Sequence, residues 1–135
     1  MTDKPTYAND MKGKTGIHRI INAFGYSVDG LKAAYRMEAA FRQVVWLNGV
    51  LVILIACLPF AMSVKMILLL ASALSLIVEL FNTGLEAVVD RIGSEYHPLS
   101  KVGKDVGSAA QLITLTLLFV LWAMAIYTTF IAAPF

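Results

Sequence analysis

Four polar side chains occur where a membrane-crossing helix is expected to carry almost none. Glu79, Asn82, Glu86 and Asp90 stand at offsets of 0, 3, 7 and 11 residues within a run otherwise rich in Leu, Ile and Val. At 3.6 residues per turn that spacing is one stripe along a helix. An ionised carboxylate near the middle of a bilayer costs about 2.5–3.5 kcal/mol, so such groups are functional candidates by default. A polar seam joining helices through side-chain hydrogen bonds would account for Asn82. It accounts poorly for two glutamates. With a rise of about 1.5 Å per residue, Glu79 lies roughly 10 Å deeper than Glu86. Carboxylates so placed can take a proton from a hydroxyl or hold a cation. Glu38 stands four residues before Arg42. It has two readings, an exposed ion-pair partner of Arg42 or a second carboxylate meeting Glu86 across the bundle. Mg²⁺ suits the latter, because it takes one or two carboxylates together with phosphate oxygens.

Cations border these acids. Arg91, Lys101 and Lys104 flank Ser94, Gly103, Gly107 and Ser108, a mixture of ammonium groups and free backbone N–H donors that suits phosphate. Arg19 adds a fourth. Retention of positive charge on the cytoplasmic side explains Lys12, Lys14 and Lys32 without any function. It does not explain the carboxylates. Gly13-Lys14-Thr15 resembles the tail of a P-loop, but Ala8 stands where the first glycine is required, so the match is discarded. Gly103 and Gly107 have the spacing of a helix-dimer motif, yet Lys104 and Asp105 between them belong at a membrane edge.

The elements that must position these groups follow from charge distribution. The chain has 135 residues, 59% hydrophobic and 15% charged, with a mean hydropathy of +0.73. No charge occurs between Arg42 and Lys65, and none after Asp105. A span needs roughly 20 apolar residues, and three segments qualify: about 44–62, 66–89 and 112–133. An all-α membrane protein is predicted, one integral-membrane domain over 16–135. The link between the first two spans is tight, and the second link, Arg91 to Val106, is longer and polar. Before the first span, Ile17, Ile20, Ile21 and Phe24 recur at helical spacing, as do Val28, Leu31 and Tyr35. They predict one or two short amphipathic helices over about 16–36, broken at Gly25 and Gly30, lying on the membrane surface. Residues 1–15 are expected to be disordered. Ten of the eleven Lys and Arg precede the first span or lie in the second link, against Lys65 alone in the hairpin. That asymmetry puts the N-terminus and second link in the cytoplasm and the C-terminus outside. Trp46, Trp122 and Tyr127 are expected as interfacial anchors. A net charge of +2 without a basic tail argues against nucleic acid, and the single Cys57 excludes an intrachain disulfide.

The run from Glu79 through Asn82, Glu86, Asp90 and Glu95 to His97 closely resembles the signature of the prokaryotic diacylglycerol kinase family. Gly25-Tyr26-Ser27, Glu38 to Gln43 and Lys104 to Ala110 add to it. The resemblance covers about residues 16–133. It implies a homotrimeric three-span kinase of the bacterial inner membrane, with active sites shared between subunits and a surface helix ahead of the spans. Such an enzyme phosphorylates sn-1,2-diacylglycerol from MgATP to give phosphatidate. By resemblance, Glu79 is the catalytic base, and Glu38 and Glu86 bind the metal. Arg19, Tyr26, Glu95, Tyr96, His97, Lys104 and Asp105 contact ATP, as do the two metal-binding glutamates. Arg19, Glu79 and Ser108 meet the lipid, while Asn82 and Asp90 line the site. Val44 stands where the best-known members carry an acidic residue, and the N-terminal extension is longer than usual. The competing readings are an undecaprenol kinase, a proton- or cation-conducting oligomer with Glu79 and Glu86 in its pore, and a non-catalytic membrane adaptor.

Overall fold

The structure is a computed structural model describing residues 16–132, so the extension 1–15 and the last residue of the expected third span lie outside it. The fold is all-α, with no strand among the described residues. Among the described residues four helices follow in order: α1 (Ile17–Met37), α2 (Ala39–Cys57), α3 (Met62–Ile92) and α4 (Pro98–Ile126). A single π-helical turn, Tyr127–Ile131, closes the chain. The helices α2, α3 and α4 with its π turn are each long and apolar enough to cross a membrane.

α1 up to Ala33 belongs to one compact unit, and its last turn belongs with the following helices to a second. Gly16, with φ +69°, turns the chain into α1 in a conformation that a side chain would resist. The helix then runs unbroken through Gly25 and Gly30, where a break was expected. A helix tolerates a glycine at a cost of about 1 kcal/mol, and the amphipathic pattern continues across both. Ile17, Ile20, Ile21 and Phe24 are all exposed.

The junction into α2 is made by Glu38, the residue in extended conformation between the two helices (φ −114°, ψ 119°). Arg42 Nη1 donates to the carbonyls of Tyr35 (2.9 Å) and Arg36 (3.2 Å), satisfying acceptors that the end of a helix leaves open. α2 ends earlier than the expected 62. Leu58 is extended (ψ 147°) because the residue before a proline is disfavoured in the helical region, and Pro59 follows. Lys65 Nζ donates to the Ala56 carbonyl (3.3 Å), so the lone cation of the hairpin caps the end of α2.

The second link is shorter than the sequence implied. α3 continues to Ile92, and α4 starts at Pro98, well before the expected 112. Proline at the first helical position lacks the N–H that would be unsatisfied there. His97 Nδ1 accepts the Leu99 N–H (3.2 Å) as the N-cap. The expectation of free backbone donors at Gly103, Gly107 and Ser108 is therefore corrected, since all three lie inside α4 and their N–H groups belong to its ladder.

α3 lies between α2 and α4 and packs on both, whereas the backbones of α2 and α4 do not approach each other. One end of this layer is apolar. Ile55, Phe60, Leu68, Ala71, Leu118, Trp122 and Ala125 form its core. Phe60 meets Trp122 edge-on at 5.8 Å. Trp122 is thus a packing residue, 9% exposed, rather than the expected interfacial anchor. Towards the other end of α3 the buried stripe turns polar, passing from Leu68 and Ala71 through Ser72 and Ser75 to Glu79, Asn82 and Thr83.

Candidate active site

The site grows from that polar stripe. Its floor is Ser75, fully buried, whose hydroxyl donates to the Ser72 carbonyl (2.8 Å) and accepts from Asn48 Nδ2 (2.8 Å). This bond ties α2 to α3 one turn below Glu79. Glu79 itself is 3% exposed. Glu38 stands at the junction of α1 and α2, and among the described residues its ion pair with Arg42 is not formed, because Arg42 is engaged with the end of α1.

One turn above Glu79, Asn82 Nδ2 donates to Glu86 Oε1 (3.2 Å). Asn82 is held there by the close approach of α4, for a Cβ added at Gly107 would fall 2.0 Å from Asn82 Oδ1. The glycine pair dismissed as a dimer motif contributes, through Gly107, to packing within the chain. Thr83, Gln111 and Thr114 complete the buried polar seam between α3 and α4. Sequence reasoning missed these three, because uncharged polar residues are common in spans and draw no notice.

The stripe ends in an open cleft of about 590 Å³. Asp90 and the connection Gly93–His97 form one side, and Ser100, Lys101, Lys104 and Asp105 the other. Glu95, Tyr96, His97, Lys104 and Asp105, expected at ATP, are brought together here, beside Asp90. Lys104 pairs with Asp90 across the cleft and Lys101 with Asp105 along α4. Both pairs are exposed and screened by solvent. Their ammonium groups can therefore exchange carboxylate for phosphate oxygens at little cost. Asp90, the last acid of the stripe, lines the cleft, whereas Glu38 and Glu86, also expected at ATP, are not part of its lining. Arg91 is absent from the cleft lining. Ser108 is exposed on α4 and is not part of that lining. Arg19 and Tyr26 are exposed on α1, in the N-terminal unit.

Among the described residues no three His, Cys, Asp or Glu side chains enclose a metal ion. Glu38 and Glu86 offer two carboxylates, a donor set that fits Mg²⁺ with phosphate oxygens and water completing its octahedron.

Three apolar helices, a carboxylate buried among them and a cleft with paired cations at the end of its stripe define a small integral-membrane protein equipped for polar chemistry at the bilayer edge. The chain belongs to the prokaryotic diacylglycerol kinase family, whose profile matches residues 25–126. It is 51% identical over 112 residues to the diacylglycerol kinase of Pseudomonas aeruginosa, covering 83% of this chain and 91% of that one. It is 48% identical over 120 residues to the diacylglycerol kinase of Escherichia coli K12, covering 86% and 95%. The Helicobacter pylori 26695 diacylglycerol kinase is 43% identical over 107 residues, covering 79% and 84%.

Proposed function

We propose that the protein is an ATP-dependent kinase of the bacterial inner membrane that phosphorylates sn-1,2-diacylglycerol to phosphatidate. The observation that carries this reading is the single helical stripe running from buried Glu79 past Glu86 to a cleft where Lys104 meets Asp90. A diacylglycerol hydroxyl stays near the interface while its acyl chains remain in the bilayer, so its base must lie just inside the apolar region. ATP is water-soluble and needs a cleft open to the cytoplasm. The stripe joins these two places. Membership of the family supports the same substrate pair.

In this reading Glu79 accepts the proton of the acceptor hydroxyl as that oxygen bonds to the γ-phosphorus. The bond from the γ-phosphorus to the β,γ-bridging oxygen breaks, and ADP leaves. Lys104, Asp105 and the segment Glu95–His97 hold the nucleotide. Glu38 and Glu86 hold Mg²⁺, which when bound neutralises charge on the phosphate oxygens, the main electrostatic task of such chemistry. Asn82 keeps Glu86 oriented, Asp90 holds Lys104 before nucleotide arrives, and Ser108 faces the lipid. Residues 16–135 act as one kinase domain. The excess of basic residues before α2 and around the α3–α4 link supports a cytoplasmic cleft, with α1 on the membrane surface. Three helices are too few to enclose the site, and with the family resemblance this supports a homotrimer with sites shared between subunits.

The test is phosphate transfer from radiolabelled ATP in mixed micelles, with diacylglycerol and undecaprenol side by side, with and without Mg²⁺. Mg²⁺-dependent labelling of diacylglycerol is the expected result. Preference for undecaprenol would overturn the substrate. Absence of transfer, with cation flux into liposomes lacking ATP, would overturn the kinase reading.

A further inference from the structure

Gln111 lies on the buried face of α4, one turn beyond Gly107, and is 7% exposed. Neither its Nε2 nor its Oε1 has a hydrogen-bond partner among the described residues. A carboxamide withdrawn from water with both polar atoms unpaired is costly, and the same face carries an apolar side chain at Leu118. The position therefore calls for a reason to keep an amide.

Register supplies one. α3 and α4 are antiparallel, and Gly107 stands against Asn82 while Gly103 stands against Val89, with a Cβ contact at 3.8 Å. One turn along α4 from Gly107 comes Gln111. One turn back along α3 from Asn82 comes Glu79. Both belong to the buried stripes of their helices, so the register points the amide toward the turn of α3 that carries Glu79, with no hydrogen bond between the two in this structure. Among the described residues no cation forms an ion pair with Glu79. A cation in this position would tie up the base in an ion pair. A neutral N–H donor orients one carboxylate oxygen and leaves the other free to accept a proton.

We propose that Gln111 is a positioning residue for Glu79: its Nε2–H, unpartnered in this structure, turns to donate to the carboxylate when the acceptor hydroxyl is in place and fixes the direction in which the free oxygen faces that hydroxyl. The inference rests on the reading of Glu79 as the base. The test is a double-mutant cycle in the full-length protein, with Gln111→Met as the near-isosteric apolar variant and Gln111→Leu as a second. Oligomeric state and thermal stability are measured beside turnover. Each variant should assemble normally and keep its KM for ATP and diacylglycerol, while kcat falls about ten- to a hundredfold, the rate equivalent of one hydrogen bond to a charged group. In a Glu79→Gln background the same substitution should cost nothing further, because its effect acts through the carboxylate. Unchanged kcat, or an equal loss in both backgrounds, would overturn the positioning role and leave the base assignment standing. Near-normal turnover of Glu79→Gln alone would instead overturn the base assignment, and this inference with it.

Discussion

Gly107→Ala tests the geometry around Glu86 without touching a charged group. A methyl at this position would lie 2.0 Å from Asn82 Oδ1, so one of the two must retreat by about 1.5 Å to reach ordinary van der Waals separation. Two responses are available. α4 can move away from α3, which loosens the whole seam down to Leu118, or Asn82 can swing aside. The second is cheaper, because it disturbs one side chain, but it breaks the 3.2 Å bond from Asn82 Nδ2 to Glu86 Oε1. A strained rotamer costs about 0.5–1.5 kcal/mol, and a lost hydrogen bond to a charged group about 1.5–3 kcal/mol. Gly→Ala inside a helix returns about 0.8–1.0 kcal/mol. The net expectation is a destabilisation of about 1–3.5 kcal/mol, read by unfolding in detergent, with a raised Mg²⁺ requirement as Glu86 loses its orientation. In an Asn82→Ala background the clash is gone, and the same substitution should be neutral or stabilising. An equal cost in both backgrounds would refute the argument, since the methyl would then be meeting something other than Asn82.

Glu86→Gln should weaken the apparent Mg²⁺ dependence more than it changes the KM for lipid, and a metal titration identical to that of the unaltered protein would remove Glu86 from that role. His97→Ala deletes the acceptor for the Leu99 N–H, for an expected loss of about 1 kcal/mol in thermal unfolding. His97→Asn, which keeps a capping acceptor, should recover most of it, and equal stability of the two variants would show that the cap contributes nothing.

Much of the site was legible because charge in an apolar run is rare and costly. Glu79, Glu86 and Asp90 declared a stripe by spacing, and Glu95 to Asp105 do converge on one cleft. Helix boundaries were less legible. The first turns of α4 are polar because they border the cleft, so Lys101 to Val106 read as part of the link although Pro98 and His97 start a helix there. Gly25 and Gly30 read as breaks because glycine is a weak helix former, yet the helix passes both. Trp122 read as an anchor because tryptophan favours interfaces, whereas Phe60 draws it into the core. Pairing was the least legible property. Nothing in the spacing of Glu38 and Arg42 showed that Arg42 would turn back to the carbonyls of Tyr35 and Arg36. Nor does sequence distinguish Gln111 from any other uncharged polar residue of a span until the register with Glu79 is known.

The central claim is that buried Glu79 serves as the base for phosphate transfer to a lipid hydroxyl. Its most direct test is turnover with radiolabelled ATP and dioleoylglycerol in mixed micelles, comparing the unaltered protein with Glu79→Gln after both are shown to assemble alike. The account predicts Mg²⁺-dependent phosphatidate formation that falls by at least ~10²-fold in the variant, the loss typical of a general base. Near-normal turnover by a correctly assembled Glu79→Gln protein would contradict it.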